Sequence, residues 1–217
     1  PTRIDLPNGW QPEGITSWGK WLFAGSLTDG AIYRANAKNG NGRVFVAGET
    51  GKAATGLHID RWGRLWAAGA STGEVRVFSA RNGKLLQTYT LGPGPMFLND
   101  LDIARNRVVV TDSMNARVGV IPLGEHGALP DPSKAFFLSL TGDFQLQTGF
   151  NANGIASRGG WLVMVQSNTG FLFRLNPRPG ERGEPWMLKK VTDDFADAGD
   201  GDALVDNCVT SVTTGRT

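Results

Sequence analysis

The chain lacks the marks of several protein classes. It has one cysteine, Cys208, so no internal disulfide forms. Its longest purely apolar run, residues 161–165, is far short of the roughly 20 residues a membrane-spanning helix needs. No basic run stands out, and 22 Lys and Arg against 20 Asp and Glu leave a net charge of +2. Nucleic acid and anionic membranes are therefore not expected partners. The Lys and Glu runs of exposed helices are almost absent. There are two histidines, His58 and His126, short of the imidazole cluster that redox metals generally use. No Cys-x-x-Cys pair, Walker loop, Rossmann glycine fingerprint or Gly-x-Ser-x-Gly elbow occurs. Structural zinc, nucleotide cradles and a serine nucleophile of that type are set aside.

What is present points to strands. The 217 residues are 40% hydrophobic and 19% charged, which suits a buried core and excludes a disordered chain. Thirty glycines and eleven prolines accompany Asn, Thr, Ser, Val and Trp, the mix of short strands joined by tight turns. Four segments repeat one pattern. Each has a polar residue before a strand, a second strand, a turn and a third strand. The strand starts are Glu13-Gly14-Ile15, Thr55-Gly56-Leu57, Asn99-Asp100-Leu101 and Asn153-Gly154-Ile155. A fifth start falls at Asp202-Ala203-Leu204. The spacings are 42, 44, 54 and 49 residues. Residues 42–47 and 84–91 read as a fourth, outer strand after the bends Asn39-Gly40 and Asn82-Gly83. Prolines gather at 92–95, 130–132 and 177–185, between or after units.

A repeat of about 47 residues with four strands is the signature of a β-propeller blade. The expected fold is all-β, one domain over residues 1–217, with four-stranded antiparallel blades. Four to five blades of a six-bladed type are present, since six would need roughly 280 residues at this repeat length. A circle left open exposes apolar faces and strand edges, from which self-association is expected. The absence of an initial methionine reads as a processed form or a piece of something longer.

The innermost strand of each blade lines the channel, so the polar starts converge at one mouth. Glu13, Asn99, Asn153 and Asp202 supply two carboxylates and two amides, a hard-oxygen set suited to Ca²⁺ or a similar cation. The alternative is that these residues cap backbone groups where each blade begins. His58 lies on an innermost strand, facing either the channel or the core, and His126 reads as a turn residue. Trp10, Trp18, Trp62 and Trp186 fall in or near loops, where they either stack ligands or fill gaps between blades. Asp193, Asp194, Asp197, Asp200, Asp202 and Asp206 form an acidic stretch without EF-hand spacing.

Glu13-Gly14, Asn99-Asp100, Asn153-Gly154 and the Asp-containing fifth start resemble the SMP-30/gluconolactonase/LRE-like six-bladed propellers, with an NHL-like blade pattern. The resemblance implies one divalent metal, with Ca²⁺ first and Zn²⁺ or Mg²⁺ as alternatives. Its ligands would be Glu13, Asn153 and an Asp. Register favours Asp202 for that Asp, and local likeness to Asp-Gly favours Asp200. Asn99 would contact substrate or a water on the metal, and the Asp would act as general base or position the water. The implied activity is hydrolysis of a lactone or other ester; the alternative is a non-catalytic scaffold that binds a ligand or protein. The missing initial methionine, the Lys-poor polar surface and a Ca²⁺ site, which is easier to fill outside the cytoplasm, make a secreted bacterial protein the expectation, with the cytoplasm as alternative.

Overall fold

The computed structural model describes residues 1–158, 161–175 and 185–191. Within them sixteen strands run in four sets of four. The first set is β1 (Pro12–Trp18), β2 (Trp21–Ser26), β3 (Ile32–Asn36) and β4 (Gly42–Val46). The second is β5 (Leu57–Ile59), β6 (Arg64–Ala68), β7 (Glu74–Ser79) and β8 (Leu85–Thr90). The third is β9 (Leu98–Ala104), β10 (Arg107–Asp112), β11 (Arg117–Pro122) and β12 (Phe136–Gly142). The fourth is β13 (Ala152–Arg158), β14 (Trp161–Gln166), β15 (Leu172–Leu175) and β16 (Trp186–Lys190). Within each set, neighbours in sequence pair antiparallel, β15 with β16 included. This is an all-β propeller. The fifth start, Asp202, lies outside the described residues, as do Asp200 and Cys208.

The period of two in each strand explains how the blades stack, because successive side chains point to opposite faces. In β6, Leu65 and Ala67 pack with Phe23, Ile32 and Phe78 between the first two blades. Their neighbours Trp66 and Ala68 join Tyr89, Leu98 and Leu101 between the second and third. In β10, Val108 and Val110 face that same layer, while Val109 faces Val118, Leu138 and Met164 toward the fourth blade. Each fully buried side chain of this size contributes about 1.5–3 kcal/mol over leaving it in water.

The bends form as the sequence predicts. Asn39-Gly40 and Asn82-Gly83 put glycine at φ 76° and 77°, where a side chain would be strained. The outer strands expected at 42–47 and 84–91 are β4 and β8. Two features differ from expectation. Trp186 is in no loop: it opens β16 and is buried with Phe173 and Leu188 between blades 3 and 4. Residues 130–132 lie inside a blade, between β11 and β12, and Pro132 begins a single 3-10 turn.

Blades 3 and 4 are also fused. Residues 136–139 of β12 pair with β11, and residues 140–142 pair in parallel with β16. One strand thus serves two blades, and the two sets form a single eight-stranded sheet.

Candidate functional site

Three of the expected strand starts, Glu13 of β1, Asn99 of β9 and Asn153 of β13, line one cavity. Asp100 of β9, Gly14 and Gly56 line it with them, and its volume is about 230 Å³. Glycine lets the inner strands approach this closely. A Cβ on Gly56 would collide with Asp100 Oδ1 and come within 2.8 Å of the Asn99 carbonyl oxygen. A Cβ on Gly14 would meet the Thr55 carbonyl. The third repeat carries Asp100 where the other three have glycine, so its carboxylate occupies the space that Gly56 and Gly154 leave.

Asn99 is 5% exposed, and its two amide ends differ sharply. Nδ2 donates to Ser113 Oγ at 3.0 Å, whereas Oδ1 is buried with no partner. The neighbouring network fixes this orientation. Ser113 Oγ–H donates to the Ala152 carbonyl, so the hydroxyl can only accept from Asn99, and the amide must present NH₂ to it. The oxygen is left on the other side. A buried acceptor without a donor costs about 1–3 kcal/mol, so a cation or donor placed there recovers that loss.

Asn153 repeats the arrangement. Its Nδ2 donates to Ser167 Oγ at 2.8 Å, and Thr111 Oγ1 donates to its carbonyl at 2.8 Å. Asp100 is partly buried. Its Oδ2 accepts from the Ile155 N–H at 3.0 Å and its Oδ1 from the Leu101 N–H at 2.8 Å. Burial nevertheless raises its pKa above the ordinary carboxylate range, with Asp102 adding repulsion and the two N–H groups opposing. Glu13 is open to solvent on one side. Partial burial raises its pKa, and the Asp100 charge raises it further. Two carboxyls and an orphaned oxygen around one space make a site where positive charge relieves strain on every donor.

Thr55 takes no part. Its hydroxyl is buried and held by the carbonyls of Ala68 and Leu98, the backbone-capping role. Asp100 is the donor that residue-by-residue expectation left out; the signal for it was the loss of glycine at the second position of the third repeat. Among the described residues no three His, Cys, Asp or Glu side chains cluster as a metal site would. The oxygen set here depends on amides.

The other expected residues lie elsewhere. His58 Nδ1 is 3.1 Å from Asp102 Oδ1. His126 sits at φ 51° in a single 3-10 turn, as a turn residue should. Trp10 donates from Nε1 to the Gly25 carbonyl at 2.9 Å. Trp18 lies against Gly63, and Trp62 lies against Gly127, so these rings wedge between successive loops.

No family model matches the chain, and no curated protein matches it. Solved structures match its shape. Virginiamycin B lyase from Staphylococcus aureus has a TM-score of 0.61 and 15% identity, covering 87% of this chain and 57% of that one. Kluyveromyces lactis Hsv2 gives 0.55 and 14%, with 82% and 60% covered. The β-propeller domain of Myceliophteria thermophila Cps50 (Swd1) gives 0.55 and 12%, with 81% and 58% covered. The chain therefore spans about three fifths of the length of these structures. Identity this low shows the propeller fold alone.

Proposed function

We propose that the chain is a metal-dependent lactone or ester hydrolase of the SMP-30/gluconolactonase type, its cation held where Glu13, Asn99, Asp100 and Asn153 meet. The single observation that carries this reading is Asn99 Oδ1, buried and unpartnered, in an amide oriented by Ser113 and belonging to a residue that lines the cavity. The donors are all oxygen, which favours Ca²⁺ over softer metals. When bound, such an ion supplies Lewis acidity to an ester carbonyl.

The chain's own residues do the rest. Ser113, its own proton given to the Ala152 carbonyl, takes the Asn99 NH₂ and so sets which way that amide faces, and Ser167 accepts from the Asn153 NH₂. Glu13 and Asp100 both have raised pKa values, from burial first, so positive charge placed between them favours their ionised forms. Ile15 and Leu57 give the cavity an apolar side against which a ring substrate can lie. The general base of this reading is Asp202 or Asp200, outside the described residues. One similar structure, virginiamycin B lyase, bears an enzyme's name, so propellers of this shape do support catalysis.

The test is a Ca²⁺ titration followed by thermal melting, with a panel of lactones assayed beside it. A cation bound only to the folded state at a hundred times its Kd adds about 2.7 kcal/mol. Glu13→Gln and chelation should each remove both the melting shift and the turnover. Turnover that survives both treatments rejects the reading. A melting shift without turnover on any lactone favours the second reading, a ligand-binding scaffold, which Trp62 at 38% exposure also favours.

A further inference from the structure

A second cavity, of about 260 Å³, opens at the far ends of the inner strands. Arg61 and Trp62 reach it from the turn after β5, and Arg105 from the turn after β9. Asn99 and Arg105 are six residues apart along β9, so this mouth lies about 20 Å from the carboxylates.

Its charge is unbalanced. Among the described residues neither Arg61 nor Arg105 has a carboxylate within ion-pair distance. Asp60 also lines the cavity, but its charge is spent inward. Oδ1 accepts from the N–H groups of Trp62 and Arg64, and Oδ2 from Arg64 Nε at 2.6 Å and Trp66 Nε1 at 2.8 Å. Asp102 is likewise committed, to His58 and to the N–H groups of Ile103 and Ser157.

The cationic groups are also held ready. The Arg61 guanidinium stacks 4.3 Å from the centre of the Trp62 ring, which leaves its in-plane N–H donors free. Trp62 is wedged by Gly127, where any Cβ would collide with the ring. Arg105 adopts φ 48°, a left-handed conformation that glycine takes at the matching hairpin of blade 1, Gly19 at φ 57°. A bulky residue in that conformation is strained, and such strain concentrates where a side chain must be aimed.

We propose that this second mouth binds a small organic anion, its phosphate or carboxylate met by Arg61 and Arg105 and its apolar body covered by Trp62 and Ile103. The volume is below the roughly 300–1,000 Å³ of clefts that take drug-sized ligands, so a single ring with one charged group is the size that fits.

The experiment is isothermal titration with phenyl phosphate at low salt, in buffer containing EDTA. The chelator separates this site from the cation-dependent reading of the other mouth. Inorganic phosphate serves as the charge-only arm and benzyl alcohol as the body-only arm. Phenyl phosphate should bind one to one and about tenfold or more tighter than inorganic phosphate, with no binding of benzyl alcohol. Arg61→Ala and Arg105→Gly should each weaken it about tenfold or more, the loss of a charged hydrogen bond. Arg105→Gly suits its backbone conformation, so a fold check by circular dichroism should be unchanged. Glu13→Gln should leave the affinity as it was. No saturable binding up to about 10 mM overturns the proposal. So does affinity that survives both arginine variants, falls with Glu13→Gln, or is equal for inorganic phosphate.

Discussion

The two ends of the inner strands come from the same repeat and carry opposite chemistry. At the strand starts, Glu13, Asp100 and two amides face each other across glycines. At the strand ends, Arg61 and Arg105 project from turns with no described carboxylate to meet them. The difference follows from packing. The starts lie where neighbouring strands touch across glycines, and there the two amide NH₂ groups are held by serine hydroxyls and the Asp100 carboxylate by N–H groups. The ends are hairpin turns, where length and charge are tolerated and aim is set by backbone conformation and a stacked ring.

The largest effect should come from the pin behind the arginine mouth. Asp60→Ala leaves Arg64 and the Trp66 N–H buried without their acceptor, and should cost about 3–5 kcal/mol in urea denaturation. The Ca²⁺-dependent melting shift should persist in the folded fraction, because the two mouths are separate; its loss would join them. Gly56→Ala attacks the other end. It forces a methyl group into Asp100, and should cost about 1–3 kcal/mol by the same measurement and weaken the response to Ca²⁺.

A smaller effect separates the mouths by pH. Glu13 and Asp100 have raised pKa values in the folded chain, so the fold binds their protons more tightly than the unfolded chain does. Their contribution is fully present below the ordinary carboxylate range, about pH 4, and is lost as pH rises through the raised values. Without metal, this pair should therefore lower stability from pH 4 toward 7, and the dependence should flatten with saturating Ca²⁺ or in Glu13→Gln. Melting curves across that window check it. The smallest effect is expected at Arg105→Gly. Relief of the left-handed strain offsets the entropy of glycine, so stability should rise by no more than about 1 kcal/mol while anion binding falls.

Much of the propeller could be read from the chain because its signals are local. The alternation Val108-Val109-Val110 sends side chains to two different blade interfaces, and Asn82-Gly83 fixes a bend without help from distant residues. The convergence of Glu13, Asn99 and Asn153 was legible too, since equal places in a repeat become equal places round a circle. The rest depended on tertiary context. Nothing near Trp186 says that its strand will pair with Leu140, 46 positions earlier, and no local pattern says that β12 will divide between two blades. The arginine mouth escaped because Arg61 and Arg105 are ordinary turn residues until blades 2 and 3 stand side by side.

The pairing of asparagine with serine has an evolutionary consequence. Asn99 and Ser113 are 14 residues apart, and so are Asn153 and Ser167. Duplicating a blade copies donor and latch together, so an oriented amide is inherited as a two-letter word, whereas a lone substitution spells nothing. Blade 2 shows the grammar failing. The place 14 residues after Thr55 is Gly69, where a side chain would strike Thr72 Oγ1 at 2.6 Å and the Glu74 carbonyl at 2.8 Å. That blade cannot gain the latch without rebuilding its turn. Conversely, loss of Ser113 alone would free the Asn99 amide to rotate and turn NH₂ toward the cavity, reversing the polarity offered there while leaving every residue that touches the cavity unchanged.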